Sequence, residues 1–329
     1  MPHLILRNTK NSRGMKTSLS IIFVFLYLSL IAQNSDVTKI ALIGCHKQHE
    51  PAPALKYFVQ NLDPDYAVWL GDNVYADTKT NPDYIRDQLH VLEAKDGFRE
   101  LRESVPFFVT WDDHDYGLNN SGAEYQHREE SKRIFREFWQ LEDDIPADRD
   151  GVYYSVNEKL PNGKIIQFLM VDGRYNNTRY LPNVAPEEAD ILGEKQWQWL
   201  ENELKKPADI RFFITGQQVL LDTNNRWEAW SKVGRAQQRL DDLLVKLNVN
   251  GLIFLTGDQH TAEVLESLPG MRYYTMEIMA CGINQTETPD KAANRVAGPD
   301  LTLHSAPLLE IFWEKEKTYV TITNYDVEK

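Results

Sequence analysis

The sequence has too few basic residues for a nucleic-acid-binding protein. Its 329 residues include 36 Lys and Arg against 49 Asp and Glu, a formal net charge of −13. A surface with this charge repels the phosphate backbone, so a broad nucleic-acid-binding face is excluded. Small phosphorylated substrates are not excluded, because a bound metal ion reverses the local field.

Internal repeats, low-complexity tracts and long Gly/Ser linkers are also absent. The hydrophobic content of 42% is sufficient to bury a core, and the length suits one large domain or two modest ones. We predict a single domain over residues 37–329. The oligomeric state does not follow from the sequence.

Cysteine is scarce, since Cys45 and Cys281 are the only two. The stretch 42–45 imitates a lipoprotein signal, but it lies behind Asp36 and Lys39 and inside a predicted strand, so we reject lipidation. A disulfide between the two cysteines would form only in an oxidising compartment. The alternative is a reactive thiolate at Cys45, and spacing alone does not decide between them.

One long hydrophobic run occurs, near the N-terminus. Residues 19–32 carry no charge and follow Met15-Lys16, a pattern typical of a cleavable signal peptide at about residues 15–32. The run is shorter than the ~20 residues that a membrane span needs, and an uncleaved anchor is the alternative. We predict that residues 1–32 are an extension and signal peptide, and that the product is periplasmic or secreted without a stable membrane span.

Six short apolar runs end abruptly in polar residues. The runs are 40–43, 66–70, 106–110, 165–171, 211–215 and 252–256. Helical patterns lie between them, for example at 128–141, 186–204 and 236–247. This alternation predicts buried parallel strands covered by helices, with a ligand site beyond the carboxyl ends of the strands.

After His260 the pattern changes to strands without long intervening helices, at 272–278, 308–313 and 318–323. We expect these strands to complete a second, more antiparallel layer. The predicted fold class is therefore α/β, with two stacked mixed β-sheets flanked by helices.

Polar side chains at the predicted strand ends are the candidate functional residues. Asp72 and Tyr75 would share one face of a helical turn, and Asp258 and His260 would point alike in an extended stretch. Each segment alone is consistent with a helix cap or a core hydrogen bond, which would leave the chain indifferent to chelators. Together, carboxylates this close require a compensating cation.

These segments resemble the alkaline phosphatase D-like (PhoD-type) branch of the calcineurin-like metallophosphoesterase superfamily. The resemblance spans roughly residues 40–285 and rests on motifs in family order: Gly44 to Gln48, Leu70 to Asp77, Thr110 to Gly117 with Asn119, Val171 to Tyr175, Leu255 to His260, and Cys281 to Asn284. It implies a four-layer αββα sandwich and metal-dependent hydrolysis of phosphoesters.

The resemblance also implies a dinuclear metal centre. One ion would be held by Cys45, Asp72, Tyr75 and His260, and the second by Asn119 and Asp258, with Asp72 bridging them. Thiolate, phenolate and imidazole suit Fe³⁺, whereas carboxylate and amide oxygens suit Ca²⁺, with Mn²⁺ or Zn²⁺ as alternatives. For His46 we favour a supporting role outside the ligand set.

The expected mechanism is in-line attack on phosphorus by a metal-bound hydroxide. His114 is the candidate proton donor or phosphate contact, with its catalytic neighbour Asp113 and with Asp115 raising its pKa and orienting the ring. The alternative is that His114 only braces its loop. Arg174 would either clamp the phosphate or pair with Asp172.

Some details differ from the family pattern or leave alternatives open. Asp172-Gly-Arg-Tyr175 replaces Asp-Thr-Arg-Tyr, and Gly234-Arg235 replaces Glu-Arg, which leaves Arg235 without a predicted role. The Trp-rich loop 226–230 would line one side of the substrate pocket or simply pack in the core.

The substrate would be a small phosphomonoester or phosphodiester. Alternatives are a phosphodiesterase or phospholipase D-like activity at the same site, and a non-catalytic secreted metal-binding protein.

Overall fold

The structure is a computed structural model that describes residues 3–4, 36–222, 228–288, 291–300, 302–315 and 317–328. The predicted signal peptide at residues 15–32 lies outside the described residues, as do Arg226 and Trp227 of the Trp-rich loop. Within the described ranges, no helix has the length and apolar character needed to cross a membrane.

The described part of the chain contains thirteen strands. They are β1 (His3–Leu4), β2 (Asp36–Ile43), β3 (Tyr66–Leu70), β4 (Phe107–Thr110), β5 (Tyr154–Lys159), β6 (Ile165–Met170), β7 (Ile210–Thr215), β8 (Leu252–Thr256), β9 (Ala262–Glu266), β10 (Met276–Ala280), β11 (Arg295–Asp300), β12 (Ser305–Trp313) and β13 (Thr318–Asp326).

The strands form two mixed sheets. The first has the order β1-β13-β12-β2-β3-β4, and the second has the order β11-β9-β10-β8-β7-β6-β5. In the first sheet β2, β3 and β4 are parallel, and in the second β6, β7, β8 and β10 are parallel. The predicted fold class is confirmed.

The C-terminal strands do not all complete one second, more antiparallel layer, as we expected. β12 and β13 join β2 in the first sheet, whereas β10 joins β8 in the second. The six apolar runs are likewise divided between the sheets. Strands buried on both faces have the same composition in either sheet, so their sequences do not indicate the partition.

Aromatic side chains fill the space between the sheets. The Phe168 ring of β6 lies 4.3 Å from that of Phe108 on β4 and 5.5 Å from that of Tyr66 on β3. Burying a Phe side chain stabilises the fold by about 1.5–3 kcal/mol. These contacts hold the sheets face to face.

Helices cover the outer faces. They are α1 (Pro53–Tyr57), α2 (Asp83–Glu93), α3 (Phe98–Ser104), α4 (Asp113–Tyr116), α5 (Arg128–Trp139), α6 (Gly193–Leu204) and α7 (Ala236–Lys246), with a π-helix at Phe58–Leu62 and 3₁₀ turns at Pro186–Glu188 and Trp230–Lys232. Trp69 of β3 packs against Phe98 and Trp139. Trp197 and Leu240 share a second core with Phe213. The helices therefore complete four layers.

Candidate metal centre at the strand ends

The carboxyl ends of the central strands of both sheets meet at one edge. After β2, the backbone N–H of Cys45 donates to Gly71 at 3.1 Å and that of His46 donates to Asp72 at 2.9 Å. The N–H of Gly282, just after β10, donates to the carbonyl of Gly44 at 3.1 Å. The first two bonds continue the pairing of β2 with β3, and the third joins the two sheets where the polar segments begin.

Glycines allow this close approach. Gly71 has φ +98°, and a Cβ there would lie 2.8 Å from the Cβ of Asp112. A Cβ on Gly216, at the end of β7, would overlap the Asp112 carboxylate. Only glycine therefore lets the backbones of both sheets close around Asp112.

Site residues adopt the left-handed backbone conformation unusually often. In the part of the chain that the structure describes, five of the nine positive-φ residues other than glycine belong to this region: Cys45, Asp72, Asp77, Asp258 and His260. This conformation is uncommon for residues with a Cβ and clusters at functional sites. Here it turns each side chain sharply out of its strand direction.

The structure brings most of the predicted ligands together. In each of three groups, the ligand atoms lie within 4.8 Å of one another: Cys45, Asp72 and His260; Asp72, Asp113 and His114; Asp112, Asp113 and Asp258. Asp72 and Asp113 each belong to two groups, so the donors form a continuous chain. Asp72, Asp112, Asp113 and Asp258 are called the acid cluster below.

Tyr75 joins the first group. Its hydroxyl lies 2.9 Å from Nε2 of His260 and 3.3 Å from a carboxylate oxygen of Asp72. The side chain of Gln285 donates to the Tyr75 hydroxyl and to the carbonyl of Cys45. The sequence analysis did not predict Gln285, which lies just outside the motif that ends at Asn284. Its hydrogen bond holds the Tyr75 hydroxyl in place.

Burial and mutual repulsion dominate the electrostatics of the acid cluster. Burial, followed by the charges of Asp113 and Asp112, raises the pKa of Asp72 well above its ordinary value. Burial and the charges of Asp112 and Asp113 likewise raise the pKa of Asp258. Burial raises the pKa of Asp112 to about 7 even though Arg174 opposes it. Without a further cation, the charged forms of these three carboxylates are disfavoured. The pKa of Asp113 is lowered instead, because burial is outweighed by the charges of Arg174 and His114.

The donor set fits metal ions. Among the described residues, three buried oxygens of the acid cluster accept no hydrogen bond: Oδ2 of Asp112, Oδ2 of Asp258, and Oδ1 of Asp113, which makes only a 3.4 Å ion pair with Arg174. Buried carboxylate oxygens are normally paired or bound to metal. Oxygen donors suit a hard divalent ion, and the phenol and imidazole suit iron.

Arg174 is an internal counter-ion of the acid cluster. It is fully buried, and its guanidinium lies 2.5 Å from Asp112, 3.4 Å from Asp113 and 2.7 Å from Glu228. The alternative of an ion pair with Asp172 is wrong, because Arg174 donates to Asp172 only through its backbone N–H, alongside the N–H groups of Tyr175 and Val152. The buried guanidinium positions Asp112 and Asp113, which argues against the predicted direct clamp on a phosphate.

The His114 ring is hydrogen-bonded to Asp77, not to either of the two acids that flank it in sequence. Nδ1 lies 2.8 and 2.9 Å from the carboxylate oxygens of Asp77. Asp115 instead accepts from the N–H of Asp112 and from Asn73, so its predicted role in orienting His114 is wrong. Burial works to lower the pKa of His114, but the Asp77 hydrogen bond and the Asp113 charge outweigh it and raise that pKa.

Cys45 and Cys281 form a disulfide in the structure, with their Cα atoms 5.5 Å apart. This outcome was one of the two alternatives for Cys45. A disulfide sulfur is not a thiolate, and the thiolate is the form that binds metal. Cys45 could therefore act as a ligand only after reduction of the disulfide.

Two further candidates lie beside the donor groups. Asn119 is exposed, and its backbone N–H donates to Asp77 at 3.0 Å; its role as a ligand stays a prediction. His46 is buried, and its Nδ1 lies 3.2 Å from the carbonyl of Asn73. Burial lowers the pKa of His46 to about 4, consistent with a neutral supporting residue.

The PhoD-like phosphatase family matches residues 40–326. The chain belongs to this family. No curated protein matches the sequence.

Solved structures with low sequence identity share the fold. The structure of PhoD has a TM-score of 0.62 at 16% identity, over 83% of this chain and 63% of that one. Purple acid phosphatase PPD1 from yellow lupin has a TM-score of 0.56 at 15% identity, over 87% and 54%. GAP50, the anchor in the inner membrane complex of Plasmodium, has a TM-score of 0.54 at 14% identity, over 89% and 85%. This PhoD-like chain thus spans less than two thirds of PhoD.

Besides Gln285, sequence reasoning missed three residues that shape the site. Asp77 lies within the Leu70–Asp77 motif, and Asp112 lies in the acid-rich loop, so both were visible without an assigned role. Glu228 pairs with Arg174 and accepts from the Tyr180 hydroxyl. No sequence signal indicates Glu228, because its partners come from distant segments.

Proposed function

We propose that the chain is a metal-dependent phosphoester hydrolase with a dinuclear centre. The observation that carries this proposal is the continuous chain of donors at the strand ends, which share Asp72 and Asp113 and leave three buried carboxylate oxygens without hydrogen bonds. Membership of the PhoD-like phosphatase family supports the same activity.

The ligands divide into two sets. Asp72, Tyr75 and His260, with Cys45 when reduced, would hold Fe³⁺. Asp258 and Asn119 would hold Ca²⁺, or Mn²⁺ or Zn²⁺, and the structure adds Asp113 and Asp112 as neighbouring donors. Bound in this way, the two ions would supply Lewis acidity and an activated hydroxide for attack on phosphorus.

Two further residues would position the ligands and supply a proton. Arg174 holds the carboxylates of Asp112 and Asp113, which stabilises them close together before a metal binds. His114 is 17% exposed, and one of its ring nitrogens lies within 4.8 Å of carboxylate oxygens of Asp72 and Asp113. As the phosphorus–oxygen bond breaks, His114 would donate a proton to the leaving oxygen, which then departs as an alcohol.

The test measures metal content and hydrolysis together. Purified chain is assayed by elemental analysis, and with a chromogenic phosphomonoester and phosphodiester. With the disulfide reduced, we expect roughly one iron and one divalent ion per chain, and a loss of turnover of about 10³-fold or more in Asp72→Ala, which also loses metal. Glu277→Gln, a change at a buried carboxylate outside the donor groups, is the matched control.

The outcomes separate the candidate functions. Faster hydrolysis of the diester assigns a phosphodiesterase, and faster hydrolysis of the monoester assigns a phosphomonoesterase. A metal-loaded chain that hydrolyses neither would support a non-catalytic metal-binding protein. Full activity without bound metal would overturn the proposal.

The same assay tests Cys45. A Cys281→Ser chain cannot form the disulfide, so Cys45 stays available as a thiolate. We expect it to bind iron without added dithiol, whereas the oxidised wild type should need reduction to reach the same iron content. Equal iron content in oxidised, reduced and Cys281→Ser chains would remove Cys45 from the ligand set.

A further inference from the structure

We infer that Asp77 is the positioning residue of His114 and couples it to the loop that carries Asn119. The inference rests on the proposed phosphoester hydrolysis, because it assigns how the proton donor of that reaction is held. Asp77 had no predicted role in the Leu70–Asp77 motif, and it belongs to none of the three groups of possible metal ligands described above.

The first observation is the geometry at Nδ1. Both carboxylate oxygens of Asp77 lie within 2.9 Å of this nitrogen. A carboxylate only accepts hydrogen bonds, so Nδ1 carries the proton and donates it. This contact fixes the tautomer and the ring plane, and it leaves Nε2 as the atom for proton exchange with a substrate.

The second observation is that the surroundings restrain both partners. The His114 ring packs on the Tyr75 ring with a centroid distance of 4.3 Å. The segment around Asp77 is bound to the His114 turn, because Ala76 N–H donates to His114 at 3.2 Å and Thr78 N–H donates to Gly117 at 2.7 Å. Asp77 itself has φ +48°, so its carboxylate is aimed by a constrained backbone.

The third observation links two parts of the site. One oxygen of Asp77 also accepts the backbone N–H of Asn119 at 3.0 Å. A single carboxylate therefore sets the ring of the proton donor and the backbone of a predicted metal-ligand loop. Asp115, the acid that follows His114 in sequence, faces Asp112 and Asn73 instead.

The kinetic test compares leaving groups. Turnover of wild type, Asp77→Asn and Asp77→Ala is measured on aryl phosphoesters whose leaving phenols range from 4-nitrophenol to unsubstituted phenol. A poorer leaving group depends more on proton donation. We expect Asp77→Ala to lose about 10–100-fold on the phenyl ester and much less on the 4-nitrophenyl ester, with metal content unchanged. Asp77→Asn, which tolerates the same backbone conformation, should fall between.

Controls separate positioning from general damage. Asp87→Asn changes an exposed carboxylate on α2 and should leave the whole series unchanged. In a His114→Ala background, Asp77→Ala should add little further loss, because the group that it positions is gone. A uniform loss across all esters, or no loss, would overturn the inference while leaving the proposed hydrolysis intact.

If the chain hydrolyses no ester, the contact between Asp77 and His114 can still be tested by a measurement that needs no turnover. In histidine-selective ¹⁵N spectra of the full chain, assigned with His114→Gln, wild-type His114 should show a protonated Nδ1, and Asp77→Ala should change that signal. An unchanged signal would show that Asp77 does not hold the ring.

Discussion

Two sets of buried carboxylates in this chain are stabilised in different ways. Glu263 and Glu277, called the interior pair here, lie on β9 and β10. Glu277 accepts from the N–H groups of Val219 and Leu220 and from the Thr256 hydroxyl. Glu263 accepts from Gln218 and pairs with Arg295.

The acid cluster has no comparable supply of donors. Its buried cation is Arg174, and three of its oxygens accept no hydrogen bond from the described residues. Burial alone therefore does not distinguish a functional carboxylate from a structural one. The distinction lies in whether protein groups satisfy the oxygens, and the acid cluster is the set that leaves room for a metal.

The largest effect on stability should follow the loss of the cation that the acid cluster does have. Arg174→Met leaves Asp112, Asp113 and Glu228 buried together, and removing one partner of a buried ion pair costs about 3–5 kcal/mol. Denaturant unfolding of the metal-free chain measures it. Arg133→Met, which breaks an exposed pair with Glu137, should cost under about 1 kcal/mol. Equal costs would mean that burial does not strengthen the role of Arg174.

Glu277 of the interior pair should have a smaller, pH-dependent effect on the free energy of unfolding. Burial raises the pKa of Glu277 from 4.5 to about 7, so the folded chain binds the proton more tightly than the unfolded chain. Stability from this group is complete below about pH 4.5 and is lost as the pH rises through about 7. Above that range the loss is at most about 3 kcal/mol.

Glu277→Gln should abolish this part of the pH dependence. Unfolding free energies at pH 5 and pH 8 should differ less in the variant than in wild type, with the variant the more stable at pH 8. Glu103→Gln, at an exposed position on α3, should keep the wild-type pH profile. A variant that is less stable than wild type at both pH values would show that the carboxylate is needed in its charged form.

The sequence predicted the strand ends well and their partners poorly. Tyr66–Leu70 and Leu252–Thr256 were predicted to the residue, because a glycine follows each apolar run and ends it sharply. Tyr154–Lys159 was missed because its polar, edge-strand sequence lacks an apolar run.

The same division holds for the site. Asp72, Tyr75, Asp258 and His260 could be singled out as candidates because each lies within a few residues of a strand end. Whether Arg174 reaches a phosphate or only its own carboxylates depends on burial, which local sequence does not encode. The contact between Asp77 and His114, 37 residues apart, likewise depends on the path of the intervening loops.

The smallest expected change in stability is the most direct test of the difference between the acid cluster and the interior pair. The sign of this change should reverse when metal is bound. In the metal-free chain, Asp258→Asn removes a half-buried charge with a buried, unsatisfied oxygen and should raise stability by about 1 kcal/mol. With metal bound, the same change removes a ligand and should reduce the stabilisation that metal provides. Asparagine tolerates the positive φ of this position, so the backbone should not obscure the result.

Asp241→Asn is the matched control for this reversal. Asp241 is buried, and its oxygens accept the N–H groups of Arg272 and Tyr273. Its replacement should destabilise the chain to the same extent with and without metal, as measured by thermal unfolding with added metal or chelator. If Asp258→Asn instead destabilised the metal-free chain, the orphaned oxygen would not be a cost of folding, and the acid cluster would no longer differ from the interior pair.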